Sequence, residues 1–277
     1  MNYFRESKDN VFVAAHRGLS GRWPENTMEA FEKAIEAGAD QIETDIRITK
    51  DGELVLIHDA SVDRTAYATG RVDSFDFAEL RRIDVGKIKN TTGYRIPAFI
   101  ELMDLVRDHP TMTLDLELKE YPVPGHESIA YSVADRVLET VDRYHFEDRI
   151  VINTFSAALM EYIHGKYGNK YRRHVYYPMN YMGNWRDIHE DMYESAFCVC
   201  MLRTMPHPGV NDWSKNWPDR DEFEKMRRRY PQIETWAPAS VYTREDVAEM
   251  VNCGVSAITT NYCDSVLSYL REMGKHE

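Results

Sequence analysis

VFVAAHRGLSGRWPENTMEAFEKAIEAGADQIETDIRI, residues 11–48, reads as a strand, a helix and a second strand. Val11 to Ala15 is an apolar run of strand length, and Gln41 to Ile48 alternates polar and apolar side chains with the period of two that a strand imposes. Between them Met28, Phe31, Ala34 and Ile35 recur at helical spacing. Asn26 and Glu29 make a capping-box spacing, which starts the helix around Asn26 and Thr27, and Gly38 can end it. A strand, a helix and a strand in this order form a βαβ unit with parallel strands.

The rhythm continues. Further short apolar runs fall near 113–118, 150–154, 173–177, 196–202, 234–238 and 256–260, with helical patterns between most of them. Together with 11–15 and 41–48 that makes eight strands, the count of an α/β TIM (β/α)8 barrel, and 277 residues suit one such domain spanning 1–277. The stretch 59–112 breaks the pattern with Gly70, Gly86, Gly93, Pro97 and short helical pieces, and is read as a small insertion over the barrel mouth. Tyr176 to Trp185, rich in Tyr, Trp and Met, is either a loop wall or packing.

Composition narrows the function classes. With 34 basic and 46 acidic residues the formal charge is −12, and no basic run is long enough to track a phosphate backbone, so nucleic acid is a poor partner. The same sign argues against stable association with anionic membranes. Val11 to Ala15 is too short for a signal peptide or a membrane span, which gives a cytoplasmic expectation. Cys198, Cys200, Cys253 and Cys263 have no metal-ligand or disulfide spacing and read as small buried hydrophobes.

The chemistry concentrates at the ends of strands. Glu43 and Asp45 stand two apart, so a strand points both to one face, where they form either a polar rim with salt bridges or a cation site. Asp51-Gly52 is a hairpin signal; a two-residue turn would place His58 opposite Asp45, and a three-residue turn would shift the pairing by one. In Thr113 to Lys119, Asp115, Glu117 and Lys119 share the face opposite Leu114, Leu116 and Leu118. Glu117 is then a third carboxylate for Glu43 and Asp45, or half of a buried Lys-Glu pair. Three carboxylates with no thiolate or histidine cluster suit Ca²⁺, Mg²⁺ or Mn²⁺ rather than Zn²⁺. His16 closes the first strand beside Arg17, a group able to clamp an anionic oxygen. A barrel keeps its chemistry at these carboxyl ends.

His16-Arg17-Gly18, Pro24-Glu25-Asn26-Thr27, Glu43-x-Asp45, Asp51-Gly52, His58-Asp59, Arg64-Thr65 and Leu116-Glu117-Leu118-Lys119, in that order, resemble the successive signatures of the glycerophosphodiester phosphodiesterases. The resemblance implies a TIM barrel that hydrolyses small-molecule glycerophosphodiesters with one divalent cation, Ca²⁺ or Mg²⁺, on Glu43, Asp45 and Glu117. His16 and His58 would exchange protons, with His16 as base and His58 as acid. Arg17 and Lys119 would meet the phosphate. Thr154-Phe155 would take part, and Trp236 would lie beside the substrate. The family's Trp-Thr-Val-Asn reads Trp236-Ala237-Pro238-Ala239 here, and its late Thr-Asp reads Thr260-Asn261. These departures fall in the pocket for the leaving alcohol. A lysophospholipase D or an inositol or sphingoid phospholipase-like phosphodiesterase of the same fold, or a non-catalytic metal- or ligand-binding barrel, is the rival reading.

Overall fold

The structure is a computed structural model and describes residues 10–203 and 215–277. Its strands are β1 Phe12–His16, β2 Gln41–Ile48, β3 Leu54–Leu56, β4 Thr113–Leu118, β5 Ile150–Asn153, β6 Arg172–Tyr177, β7 Cys198–Met201, β8 Glu234–Ala237 and β9 Ala257–Thr260. Eight of them run parallel in the order β1-β9-β8-β7-β6-β5-β4-β2, and β1 pairs with β2 to close the barrel. The short β3 lies outside the ring, antiparallel to β2.

The helices are α1 Met28–Ala37, α2 Phe77–Leu80, α3 Phe99–Arg107, α4 Glu127–Tyr144, α5 Ala157–Tyr167, α6 Met192–Ser195, α7 Arg220–Arg229, α8 Arg244–Cys253 and α9 Cys263–Glu272, and the longer ones surround the barrel. Alternation along each strand separates two environments. Ile42, Ile46, Leu114, Leu116 and Leu118 are fully buried in one apolar core with Phe31, Val133, Val137 and Leu138 of the helices. Each such leucine contributes about 1.5–3 kcal/mol by leaving water. The alternate residues Glu43, Asp45, Asp115 and Glu117 turn inward and are also buried.

Three local expectations are corrected. The cap of α1 is Thr27, whose hydroxyl accepts from Ala30 N at 3.3 Å, because Asn26 takes a left-handed φ of 56° and spends its amide elsewhere. The Asp51-Gly52 hairpin has a three-residue turn: Thr49 N donates to Glu53 O, and Gly52 adopts φ 90°. Positive φ at the third loop residue defines the bulged hairpin that glycine permits. Asp45 therefore faces Ile57, with Ile57 N bonded to Asp45 O, and His58 follows the strand rather than pairing within it.

The third concerns 59–112. Its first part folds on a small core of Val55, Ile57, Val62, Ala66, Val72, Leu80, Val85 and Ile96. Its last part does not, because α3 stands in the outer ring between α1 and α4 as an ordinary barrel helix.

Candidate active site

Glu43 and Asp45 from β2 and Glu117 from β4 bring one carboxylate oxygen each within 4.8 Å of one another, all buried. The register explains it: Asp45 pairs with Glu117, and Glu43 lies one inward step below. Burial pushes Glu43 well above the usual carboxylate range, and repulsion from Asp45 and Glu117 adds to it. Burial likewise raises Glu117 to about 7, despite the attraction of Lys119. Asp45 is also desolvated, yet Lys119 and Arg17 outweigh that and hold it below its ordinary value. Asp45 Oδ1 has no hydrogen bond, its close cation being Lys119 Nζ at 3.0 Å. Three hard oxygens, two of them driven toward protonation by burial and each other, and one unsatisfied acceptor fit a divalent cation.

Arg17 and Lys119 face this cluster. Lys119 bridges Asp45 and Glu117. Arg17 places Nε 3.1 Å from Asp45 and donates from Nη1 to Glu25 Oε1 at 2.9 Å, while its backbone N donates to Glu43 Oε2 at 2.9 Å. Arg17 sits at φ 57°, an uncommon conformation for a residue with a side chain. Gly18 makes this turn possible, since a Cβ there would lie 2.6 Å from the Ala30 backbone. Asn26 donates to Asp45 Oδ2 at 2.8 Å and accepts from Thr44 Oγ1, which aims the aspartate.

His16 and His58 open on the same cavity of about 370 Å³. His16 Nδ1 lies 2.6 Å from Asn261 Oδ1, and Ser20 Oγ donates to the same oxygen at 3.0 Å. An amide oxygen only accepts, so His16 carries its proton on Nδ1 and leaves Nε2 bare, 3.8 Å from Glu43. Burial, reinforced by Arg17, lowers His16 to about 3, so it is neutral at physiological pH. A carboxylate such as Asp45 would by itself raise the imidazole of His58. Burial instead lowers it, with Lys119 and Arg17 adding to the effect against the upward pull of Asp45 and Asp59. Its Nδ1 meets Asp59 Oδ1 at 2.5 Å. Arg64 then donates to Asp59 Oδ2 at 2.6 Å and, in bidentate fashion, to Glu25 at 2.7 and 2.8 Å. A continuous ionic chain thus ties His58 to Arg17.

Phe155, Tyr181, Leu202 and Pro238 wall the cavity, and Phe155 stacks on Tyr176 at 3.8 Å. Thr154 does not line it; its hydroxyl donates to Leu118 O. Trp236 is also absent from the wall. It is 2% exposed and packs inside the barrel with Val151, Cys198 and Ala257, 4.7 Å from His174, because β8 places it one step below the rim. Pro238, Ala239 and Ser240 reach the cavity instead. Sequence reading assigned no role in the site to Glu25, Arg64 or Asn261 and took Asn26 only for a helix cap, although each stands in a quoted motif. It overlooked His174 altogether, whose only signal was a polar residue on the inward face of β6.

Residues 16–265 match the family model described as the glycerophosphoryl diester phosphodiesterase family. A glycerophosphodiester phosphodiesterase from Bacillus altitudinis is 30% identical over 94% of this chain and 98% of its own. A solved structure from Silicibacter pomeroyi DSS-3 superimposes with a TM-score of 0.79 at 24% identity, covering 99% of this chain and 97% of that one. An Oleispira antarctica phosphodiesterase, solved in complex with the product sn-glycerol-3-phosphate, gives 0.74 at 19% identity over 94% and 96%. The two structural likenesses are likenesses of fold.

Proposed function

The chain belongs to the glycerophosphoryl diester phosphodiesterase family, and from that membership we propose that it hydrolyses glycerophosphodiesters to glycerol 3-phosphate and an alcohol by acid-base chemistry between His16 and His58. The observation that carries this reading is that both imidazoles line one cavity with Glu43, Glu117, Arg17 and Lys119.

Glu43, Asp45 and Glu117 would hold Ca²⁺, Mg²⁺ or Mn²⁺. When bound, such an ion neutralises phosphate charge and polarises the P–O bonds. Arg17 and Lys119 add fixed positive charge beside it and orient the diester. His16, neutral and with Nε2 bare, takes a proton from the attacking oxygen. His58 gives a proton to the alcohol oxygen as its bond to phosphorus breaks. The bound phosphate anion shares the charge of Lys119 and Arg17 and so lifts His58 toward protonation. In net terms one water is consumed and the two histidines exchange states.

A formal charge of −12 favours a small substrate in solution over nucleic acid or an anionic membrane. Among the described residues no helix is long and apolar enough to cross a membrane. The aromatic and apolar wall favours a larger or less polar alcohol. A panel of glycerophospho-alcohols, assayed for released glycerol phosphate with Ca²⁺ or Mg²⁺ and again with chelator, tests the proposal. No release under either metal would refute it; equal efficiency on every alcohol would refute the preference.

A further inference from the structure

The chemistry above uses the upper inward side chains of the barrel. Asp115 on β4, Asn153 on β5, and His174 and Tyr176 on β6 also line the cavity and have no part in it. They form one hydrogen-bonded chain. Tyr176 Oη donates to Asn153 Oδ1 at 3.2 Å, Asn153 Nδ2 donates to Asp115 Oδ1 at 2.7 Å, and His174 Nδ1 meets Asp115 Oδ2 at 2.7 Å. Barrel interiors are ordinarily filled with branched apolar side chains, and polar groups there are costly unless paired. Asp115 is 0%, Asn153 1% and His174 3% exposed.

Both Asp115 oxygens are taken. A carboxylate only accepts, so the Nδ1 of His174 carries a proton. The second ring nitrogen, Nε2, is buried and has no protein partner. A buried ring nitrogen held this firmly and left unmatched calls for a partner that the protein itself does not supply.

We propose that His174, fixed by Asp115, Asn153 and Tyr176, forms a subsite for a glycerol hydroxyl of the substrate, with Nε2 making the bond. This rests on the reading of the cavity as a glycerophosphodiester site. A hydroxyl both donates and accepts, so it matches Nε2 in either protonation state. A second anionic group is disfavoured by Glu43, Asp115 and Glu117, and a quaternary ammonium offers no hydrogen to share. The location fits the glycerol half. The subsite stands on three adjacent barrel strands, whereas Tyr181, Leu202 and Pro238 lie beyond strand ends and face the variable alcohol. An invariant group is best read by the rigid part of a site.

The test compares wild type, His174→Asn and His174→Gln on glycerophosphocholine, on its two deoxy analogues built from propane-1,2-diol and propane-1,3-diol, and on bis(p-nitrophenyl) phosphate. Asparagine can keep the bond to Asp115 while removing Nε2; glutamine carries an amide near the Nε2 position. His174→Asn is expected to lower kcat/KM on glycerophosphocholine roughly tenfold, the value of one hydrogen bond to a hydroxyl. It should leave bis(p-nitrophenyl) phosphate unchanged and be silent on whichever deoxy analogue lacks the recognised hydroxyl. His174→Gln should recover part of the loss. Melting temperature and Ca²⁺ affinity identify a variant damaged in folding. Equal losses on all substrates, or no loss on any, would overturn the subsite. Failure of wild type itself on both glycerophosphocholine and bis(p-nitrophenyl) phosphate would instead remove the phosphodiesterase reading.

Discussion

Replacing Asn261 with Asp changes one atom type at the edge of the site and should retune His16. The amide oxygen now lies 2.6 Å from His16 Nδ1, and the imidazole, lowered to about 3 by burial and Arg17, is neutral. A carboxylate in the same place would put a negative charge roughly 4 Å from the centre of an imidazolium. At an effective dielectric of about 20 that attraction is about 4 kcal/mol, or about three pH units. Desolvation of the new carboxylate reduces the effect, so His16 should rise by about one to three pH units. In Asn261→Asp the base is therefore partly protonated near pH 5. Its kcat/KM should fall there by a factor of about two, and by up to roughly tenfold at the top of that range, relative to wild type, with near-equality at pH 8. Stability gives a second readout. In wild type the folded value lies below the unfolded 6.5, so the stability tied to neutral His16 is full above pH 6.5 and declines as pH falls toward 3. The variant should lose less melting temperature between pH 8 and pH 5. Imidazole NMR titration reads His16 directly. An unchanged His16 titration together with an unchanged acid limb would refute the claim that Asn261 sets the state of the base.

Glu117→Gln should weaken Ca²⁺ and Mg²⁺ binding by about tenfold or more, since a charged ligand is lost; calorimetry with unchanged affinity in this variant, Glu43→Gln and Asp45→Asn would dismiss the cation site. Protons compete for Glu117, placed near 7, so affinity in the wild-type protein should drop as pH falls through that value. His16→Ala and His58→Ala should each slow a glycerophosphodiester by roughly 10²- to 10⁴-fold. With p-nitrophenolate as leaving group, His58→Ala should recover most activity while His16→Ala stays slow; rescue of His16→Ala instead would reverse the roles. Arg64→Ala cuts the link from Asp59 to Glu25 and should lower kcat more than KM, with a stability cost of at most about 1 kcal/mol because Arg64 is half exposed. Asp59 is held down to about 2, Arg64 and His58 outweighing burial. The stability it supplies is present above its unfolded value of 3.8 and lost as pH falls toward 2, and Arg64→Ala should shrink that acid-labile part in a melting series.

The barrel was legible because its signals are local. Leu114, Leu116 and Leu118 against Asp115, Glu117 and Lys119 announce a strand with a polar inside, and the register of β4 on β2 then assembles Glu43, Asp45 and Glu117 with no further information. What escaped depended on chain reversals or on distant partners. The hairpin turned on whether Asp51 or Lys50 opened the loop, a choice of one residue that moved His58 out of the ladder. Asn26 spaces well for a cap, but Asp45 and Thr44 compete for the same amide, and a buried carboxylate outbids a helix terminus. Asn261 lies 245 positions from His16, and no periodicity links them. Trp236 carried a family role that β8 does not support, since the indole fills the barrel below the rim.

The charged side chains of the site serve two purposes at once, and donor counting makes that feasible. Lys119 has three ammonium hydrogens, of which Glu117 accepts one, while Asp45 faces the ammonium as an ion pair at 3.0 Å. Arg17 has five, with Glu25 on Nη1 and Asp45 facing Nε. Each cation thus steadies the carboxylates and retains a donor for a phosphate oxygen. The same pairing explains why Arg64 matters from a half-exposed position. Glu25 would otherwise compete with the substrate for Arg17, and the bidentate grip of Arg64 occupies both Glu25 oxygens, weakening that hold. Removal of Arg64 should therefore tighten Arg17 on Glu25 and draw it from the phosphate at the moment Asp59 loses its anchor beside His58. Arg64→Ala combined with Glu25→Gln tests this: kcat should partly recover, because the competing charge is gone. If the double variant is as slow as Arg64→Ala, Arg64 acts on His58 alone.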